Sequence, residues 1–196
     1  MILRAALFSL ALAPVMAPVA AHAAPERYEL DQSHLTVAFF VSHIGFKNQL
    51  GVFREVEGGF SYDAETQTLS DLAVEIEADS VDTFNSARDR HVRDDDFLAA
   101  DDHPKITFVM TGAEATGDTS GAVTGDLTLR GVTRPVTLDV TLNRAADYPF
   151  GHRAFTLGFS AKGSVKRSEF GSTYALEGGL VGDDVEIVIE AEAIQQ

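Results

Sequence analysis

Cysteine is absent from this 196-residue chain, and so is tryptophan. The first absence removes disulfides, thiolate nucleophiles and cysteine-based metal sites together, so stability has to come from packing and hydrogen bonding. Positive charge is scarce: 15 Lys and Arg stand against 30 Asp and Glu, a formal charge of -15. Such a surface repels phosphates and anionic lipid head groups over most of its area, which argues against nucleic acid as a partner and against adsorption to a charged bilayer. Long hydrophobic runs are missing too. The apolar stretch at residues 5–13 is too short for a spanning helix, and Pro14 and Pro18 interrupt the residues beyond it, so no stable membrane insertion is expected. H-x-x-x-H and H-E-x-x-H pairs, a G-x-S-x-G elbow and the D-x-D-x-D-G order of a calcium loop are all lacking. No metal, no cofactor and no catalytic residue is therefore assigned.

The chain opens with a leader. Residues 1–23 carry one basic residue, Arg4, then the apolar run, then Ala21 and Ala23 around His22. That order is a secretory signal with an A-x-A processing site, cut after Ala23. Residues 24–196 then make one domain with a sizeable core, exported to the periplasm or otherwise secreted.

The exported part alternates almost throughout. Leu35, Val37, Phe39 and Val41 share one parity in residues 34–42, which puts them on one face of a strand. Residues 51–62 read as a second strand, with Gly58-Gly59 marking a bulge or bend. Residues 72–78 form a clean third. Five more come at 105–114, 122–130, 135–144, 154–166 and 184–193, with tight connections at 116–121 and 131–135. Eight sequential antiparallel strands suit a closed barrel or a sandwich, and closure removes exposed edges.

Residues 80–108 break the pattern. Asp82 or Thr83 reads as a helix N-cap, Asp89 precedes Arg93 at i,i+4, and Phe97 and Leu98 anchor a second turn before Pro104 ends it. Arg88, Arg90, His91 and Arg93 crowd into this segment. In so acidic a protein they serve either to pair with nearby aspartates and pin the segment, or to face an anionic head group together with Lys166-Arg167.

Order and spacing of short motifs add a resemblance. Asp31-x-x-His34, Val37-x-Phe39-x-Val41-x-His43-x-Gly45, Gly51-x-Phe53, Ser80-Val81-Asp82-Thr83, Arg88-Asp89-x-His91-Val92-Arg93, Pro104-x-Ile106-Thr107-Phe108, Gly125-Asp126-Leu127-Thr128-Leu129-x-Gly131 and Lys166-Arg167-Ser168-x-Phe170-Gly171 run in series. Together they resemble the YceI-like polyisoprenoid-binding proteins over nearly all of the exported chain. Leu35 departs from the Ser common after the histidine, and Leu98 from a second Phe.

The resemblance implies an all-β, eight-stranded antiparallel lipocalin-like barrel, with a short helical insertion between strands 3 and 4. Its tunnel would hold a polyisoprenoid or similar long-chain amphiphile, for transport, storage or sequestration. Val37, Phe39, Val41, Phe53, Ile76, Ile106, Phe108, Leu127, Leu138 and Phe159 are the expected lining. His34, His43, Arg88, His91, Arg93 and Arg167 are the candidate head-group contacts. Taken alone, the same apolar positions would equally fill a solid barrel. An enzyme acting on an isoprenoid or quinone precursor, with His34, His43 or His91 as general base, is the alternative, and a homodimer is compatible with the sequence.

The leader reading has a direct test. Intact mass of the exported protein is expected to show loss of residues 1–23 and no attached lipid, since no cysteine exists to carry one. Recovery of the protein in a membrane fraction with its leader in place would refute it.

Overall fold

The computed structural model describes residues 25–196, and the leader expected at 1–23 lies outside them. Ten strands form one antiparallel sheet: β1 (Glu26–His43), β2 (Lys47–Phe53), β3 (Val56–Asp63), β4 (Thr68–Glu77), β5 (Val81–Asp82), β6 (Lys105–Ala115), β7 (Ser120–Leu129), β8 (Val132–Asp147), β9 (Phe155–Lys166) and β10 (Val181–Gln195). The spatial order is that of an up-and-down meander, and β10 pairs with β1 to close the sheet.

Counted as barrel staves, the ten become eight. β1 is long enough to pair with β3 along its first half and with β2 along its second, so β2 and β3 are two parts of one stave. The break between them falls at Arg54–Glu55, where the Arg54 N–H bonds to Ser80 and the Glu55 carbonyl accepts from Glu77. The two-residue β5 continues the line of β4 beside β2. The single α-helix among the described residues, α1 (Ser86–Arg93), therefore sits between the third and fourth staves, as the resemblance implied.

Several local expectations need correction. β1 starts at Glu26 and not at residue 34, because Leu30 pairs with Ala193 and Leu35 with Ala191 across one bulge. Gly58 and Gly59 lie inside β3, and the break of the stave comes earlier; a register irregularity against β4 does occur at Phe60. Asn85 caps α1, its side-chain oxygen accepting from Ala87 and Arg88 N–H. The expected caps are otherwise engaged: Asp82 accepts from Phe84 N–H, while the Thr83 N–H and hydroxyl both donate to Asp89 Oδ1. Asp89 thus ties back to Thr83 instead of pairing with Arg93. The turn after β7 is Arg130-Gly131, both with positive φ (54° and 70°), and Pro135 lies within β8 opposite Asp126. Two such residues make the hairpin turn whose twist matches its strands.

The buried side chains gather at two levels along the barrel. Near one end Tyr28, Phe60, Leu157 and Ala193 pack together, with the Tyr28 and Phe60 rings stacked at 5.5 Å. Towards the other, Ala78, Ala100 and Ile106 pack with Phe53, Ile76 and Leu98 from partly buried positions. Inward side chains such as Phe39, Phe108, Leu127, Leu138 and Phe159 are only half-buried, because they face a lumen instead of a packed centre.

Small residues keep that lumen open. A Cβ on Gly51 would lie 2.2 Å from the tip of Phe39, one on Gly125 2.4 Å from the tip of Phe108, and one on Gly163 2.6 Å from Leu138 Cδ2. Each large side chain thus lies along the wall over a glycine of the adjacent stave. Gly125 has little slack, since its Cβ would also meet the Val109 carbonyl oxygen at 2.7 Å. Gly125→Ala is expected to cost about 1–3 kcal/mol by overpacking, read as a lower urea midpoint at unchanged slope. Gly112→Ala is the control, because its Cβ would meet nothing within 4 Å, and equal midpoints for the two variants would contradict the packing argument.

Candidate functional site

Parity along the staves builds the site. In a strand alternate side chains share a face, so closing eight alternating strands gives one continuous apolar inner wall. The resulting cavity holds about 810 Å³, and its lining runs from Gln67 and Asp118 at one rim to Ile44, Tyr174 and Leu180 at the other. That volume is within the range of sites that enclose small organic ligands.

All ten expected lining residues face this cavity: Val37, Phe39 and Val41 from β1, Phe53 from β2, Ile76 from β4, Ile106 and Phe108 from β6, Leu127 from β7, Leu138 from β8 and Phe159 from β9. Further lining comes from Phe60, Val136, Leu157, Ile187 and Ile189. Ile187 and Ile189 were legible as one face of a strand; Phe60 was hidden by the irregular parity of its stave.

The candidate head-group residues separate. His43, Arg88, His91 and Arg167 line the cavity near the rim formed by α1 and the segment between β9 and β10. Arg93 does not reach the lining; it donates to the Val81 carbonyl at 3.2 Å. His34 is exposed outside the barrel, with Nδ1 2.8 Å from Asp31 Oδ2. His34 and His43, nine residues apart, thus lie on opposite sides of the wall.

The arginines do not make the expected pairs with aspartates. Arg167 is 5% exposed and donates to the carbonyls of Gly182, Ser172, Tyr174 and Val181 at 2.8–3.0 Å. Arg88 donates to the Thr83 hydroxyl at 2.8 Å and the Thr83 carbonyl at 2.7 Å. Arg130 holds the carbonyls of Asp95 and Phe97. The carbonyls of this irregular segment have no ladder partner, and a guanidinium with five donors can serve several of them at once. The expected pairing with aspartates falls away for that reason. Of the four basic residues clustered in the segment, His91 is the one that meets an aspartate, with Nε2 2.8 Å from Asp96 Oδ2, while Asp82 pairs with Arg54 from outside the segment. Its ring stands edge-on to Phe97 and Tyr174 at 5.1 and 5.2 Å, and Arg167 lies over Phe97 at 5.6 Å.

The base of the same segment is fixed by a carboxylate. Ser168 N–H and hydroxyl donate to the two oxygens of Asp183 at 2.9 and 2.8 Å. Burial pushes the Asp183 carboxyl up, but these hydrogen bonds and the charges of Lys166 and Arg167 outweigh it and leave it below its ordinary value.

Comparison with known proteins agrees with this architecture. The family model described as YceI-like domain matches residues 28–193. A UPF0312 protein of Pectobacterium atrosepticum is 34% identical over 195 residues, covering 99% of both chains. Protein YceI of Salmonella arizonae is 36% identical over 171 residues, covering 86% of this chain and 87% of its own. Among solved structures, a Campylobacter jejuni YceI protein superposes with TM-score 0.71 at 30% identity, covering 79% of this chain and 90% of its own. A polyisoprenoid binding domain from Saccharophagus degradans shares the fold with TM-score 0.64 at 16% identity, covering 86% and 98%.

The Asp183 pair predicts a pH dependence. A carboxyl held below its ordinary 3.8 in the folded state adds stability above that value and loses it as pH falls through the folded value. Asp183→Asn is therefore expected to lower the melting temperature at neutral pH and to flatten its decline below about pH 4. Melting curves of the two proteins that stay parallel from pH 7 to pH 2 would show that the pair contributes nothing.

Proposed function

The chain belongs to the YceI-like family, and from that premise we propose that it is an exported binding protein that holds one long-chain isoprenoid, or a similar amphiphile, in the barrel lumen. The observation that carries the reading is the open apolar cavity of about 810 Å³, lined from rim to rim by side chains of every stave. A flexible hydrocarbon gains by leaving water along its whole length, and a wall with few polar groups leaves none of them unsatisfied by its presence. The named polyisoprenoid-binding neighbour supports the same ligand class through its shared fold.

At the α1 rim the ligand's polar end would meet His43, Arg88 and His91. Arg167 contributes its positive field there, its donors being committed to carbonyls. Binding without bond-making is the reading favoured, because the wall is overwhelmingly apolar and His34, one of the three candidate bases, faces away from the lumen. Transport, storage or sequestration are the roles such a carrier would serve.

Organic extracts of natively purified protein, examined by mass spectrometry, are expected to contain a long-chain apolar lipid near one per barrel. Ala161→Trp, which fills the lumen from a buried wall position, should lose most of that lipid while keeping the wild-type far-ultraviolet circular dichroism. An empty wild-type extract, or a folded Ala161→Trp protein that retains its full complement, would refute the reading.

A further inference from the structure

The bulge in the closing seam gathers metal-ligand chemistry on the outer wall. Between the pairs Leu30↔Ala193 and Leu35↔Ala191, β1 carries Asp31, Gln32, Ser33 and His34, whereas β10 carries Glu192 alone. Four residues against one force the β1 segment out of the ladder and hang Asp31 and His34 over Glu192. None of the three lines the lumen.

Their donor atoms converge. His34 Nδ1 lies 2.8 Å from Asp31 Oδ2 and 3.7 Å from Glu192 Oε2, and all three fall within 4.8 Å of one another. Ligands at roughly 2.0–2.2 Å from a divalent ion sit about 3.0–3.5 Å apart in tetrahedral or octahedral geometry, so rotamer-scale adjustment seats an ion here. Outer contacts already aim the set: Ser33 donates its N–H and hydroxyl to Asp31 Oδ1 at 2.9 and 2.7 Å, leaving Oδ2 for the centre of the cluster. Within the cluster Glu192 Oε2 is shielded from solvent and makes no hydrogen bond of its own, His34 Nδ1 standing 3.7 Å away. A carboxylate oxygen in that condition carries a desolvation cost that a bound cation removes. Tyr148 covers the cluster, its ring 6.3 Å from that of His34. Burial first, then the Glu192 charge and a hydrogen bond to the Glu192 carboxylate, and then the Asp31 charge, push its phenol up.

We propose that Asp31, His34 and Glu192 bind a divalent first-row transition ion of the zinc class, cross-linking the first and last staves at the bulge. One imidazole with two carboxylates selects such an ion over magnesium or calcium, and leaves at least one coordination position for water. The site stands apart from the lipid reading, since it lies outside the lumen.

The test uses untagged mature protein dialysed against chelator and titrated with ZnCl2 by calorimetry. One ion per chain at micromolar affinity, with a rise in melting temperature, is expected. His34→Gln and Glu192→Gln should each weaken binding by at least about tenfold, whereas His103→Gln, between α1 and β6, should leave it unchanged. Because Glu192→Gln removes a charge from a carboxylate pair, loss of folding is not its anticipated effect, and circular dichroism checks this. Absence of binding to the wild type at millimolar zinc would overturn the proposal, as would equal affinity in wild type and both cluster variants.

Discussion

Hydrogen bonding around the perimeter is what the whole structure depends on. A barrel with an unfilled lumen cannot be held by a packed centre, so its rigidity must come from ladders that pass from stave to stave around the ring and, across local bulges, back to β1. Once the ring is closed there is no edge to protect, and the inner face is free to remain apolar and open. Large side chains then line the wall instead of plugging it, because Gly51, Gly125 and Gly163 give Phe39, Phe108 and Leu138 somewhere to lie. The apolar clusters at two levels keep the staves in register between the lumen and each rim.

The irregular segments at the α1 rim solve a different problem with the scarcest residues in the chain. Loops inside a ring of strands strand their carbonyls away from any ladder, and arginine is the side chain able to answer several at a fixed geometry. Arg88, Arg130 and Arg167 are used in this way, so positive charge is drawn inward while the carboxylates stay largely outside. The result is a mouth whose field is less acidic than the net charge of -15 suggests. Function and bracing are therefore not competing explanations for these arginines: the side chains that order the rim also set its electrostatics.

Strand alternation makes the wall legible in the residues themselves. Val37, Phe39 and Val41 announce an inner face because parity is a local property, and the same holds for Leu138 and for Ile187 with Ile189. Caps are harder to read. Asp82, Thr83 and Asn85 are all competent to cap α1, and only the tertiary contact between Thr83 and Asp89 decides in favour of Asn85. The arginine partners are misjudged from the sequence because proximity along the chain favours aspartates, whereas the demand comes from carbonyls that only the folded loops expose. The cluster at Asp31, His34 and Glu192 is out of reach altogether. Its third member is brought in by a pairing between the two ends of the domain, and its geometry by a bulge that alternation does not reveal.

That pairing between β1 and β10 also puts the fold on a clock. Most neighbouring staves are joined by short connections, but the seam joins segments separated by nearly the entire domain, and contacts of such separation form slowly. Until the last stave arrives, the molecule is a curling sheet with two raw edges and one greasy face, the species most prone to stick to its own kind. The ring is thus safest late in its history, and the interval before closure, not the finished barrel, is where this protein is most exposed.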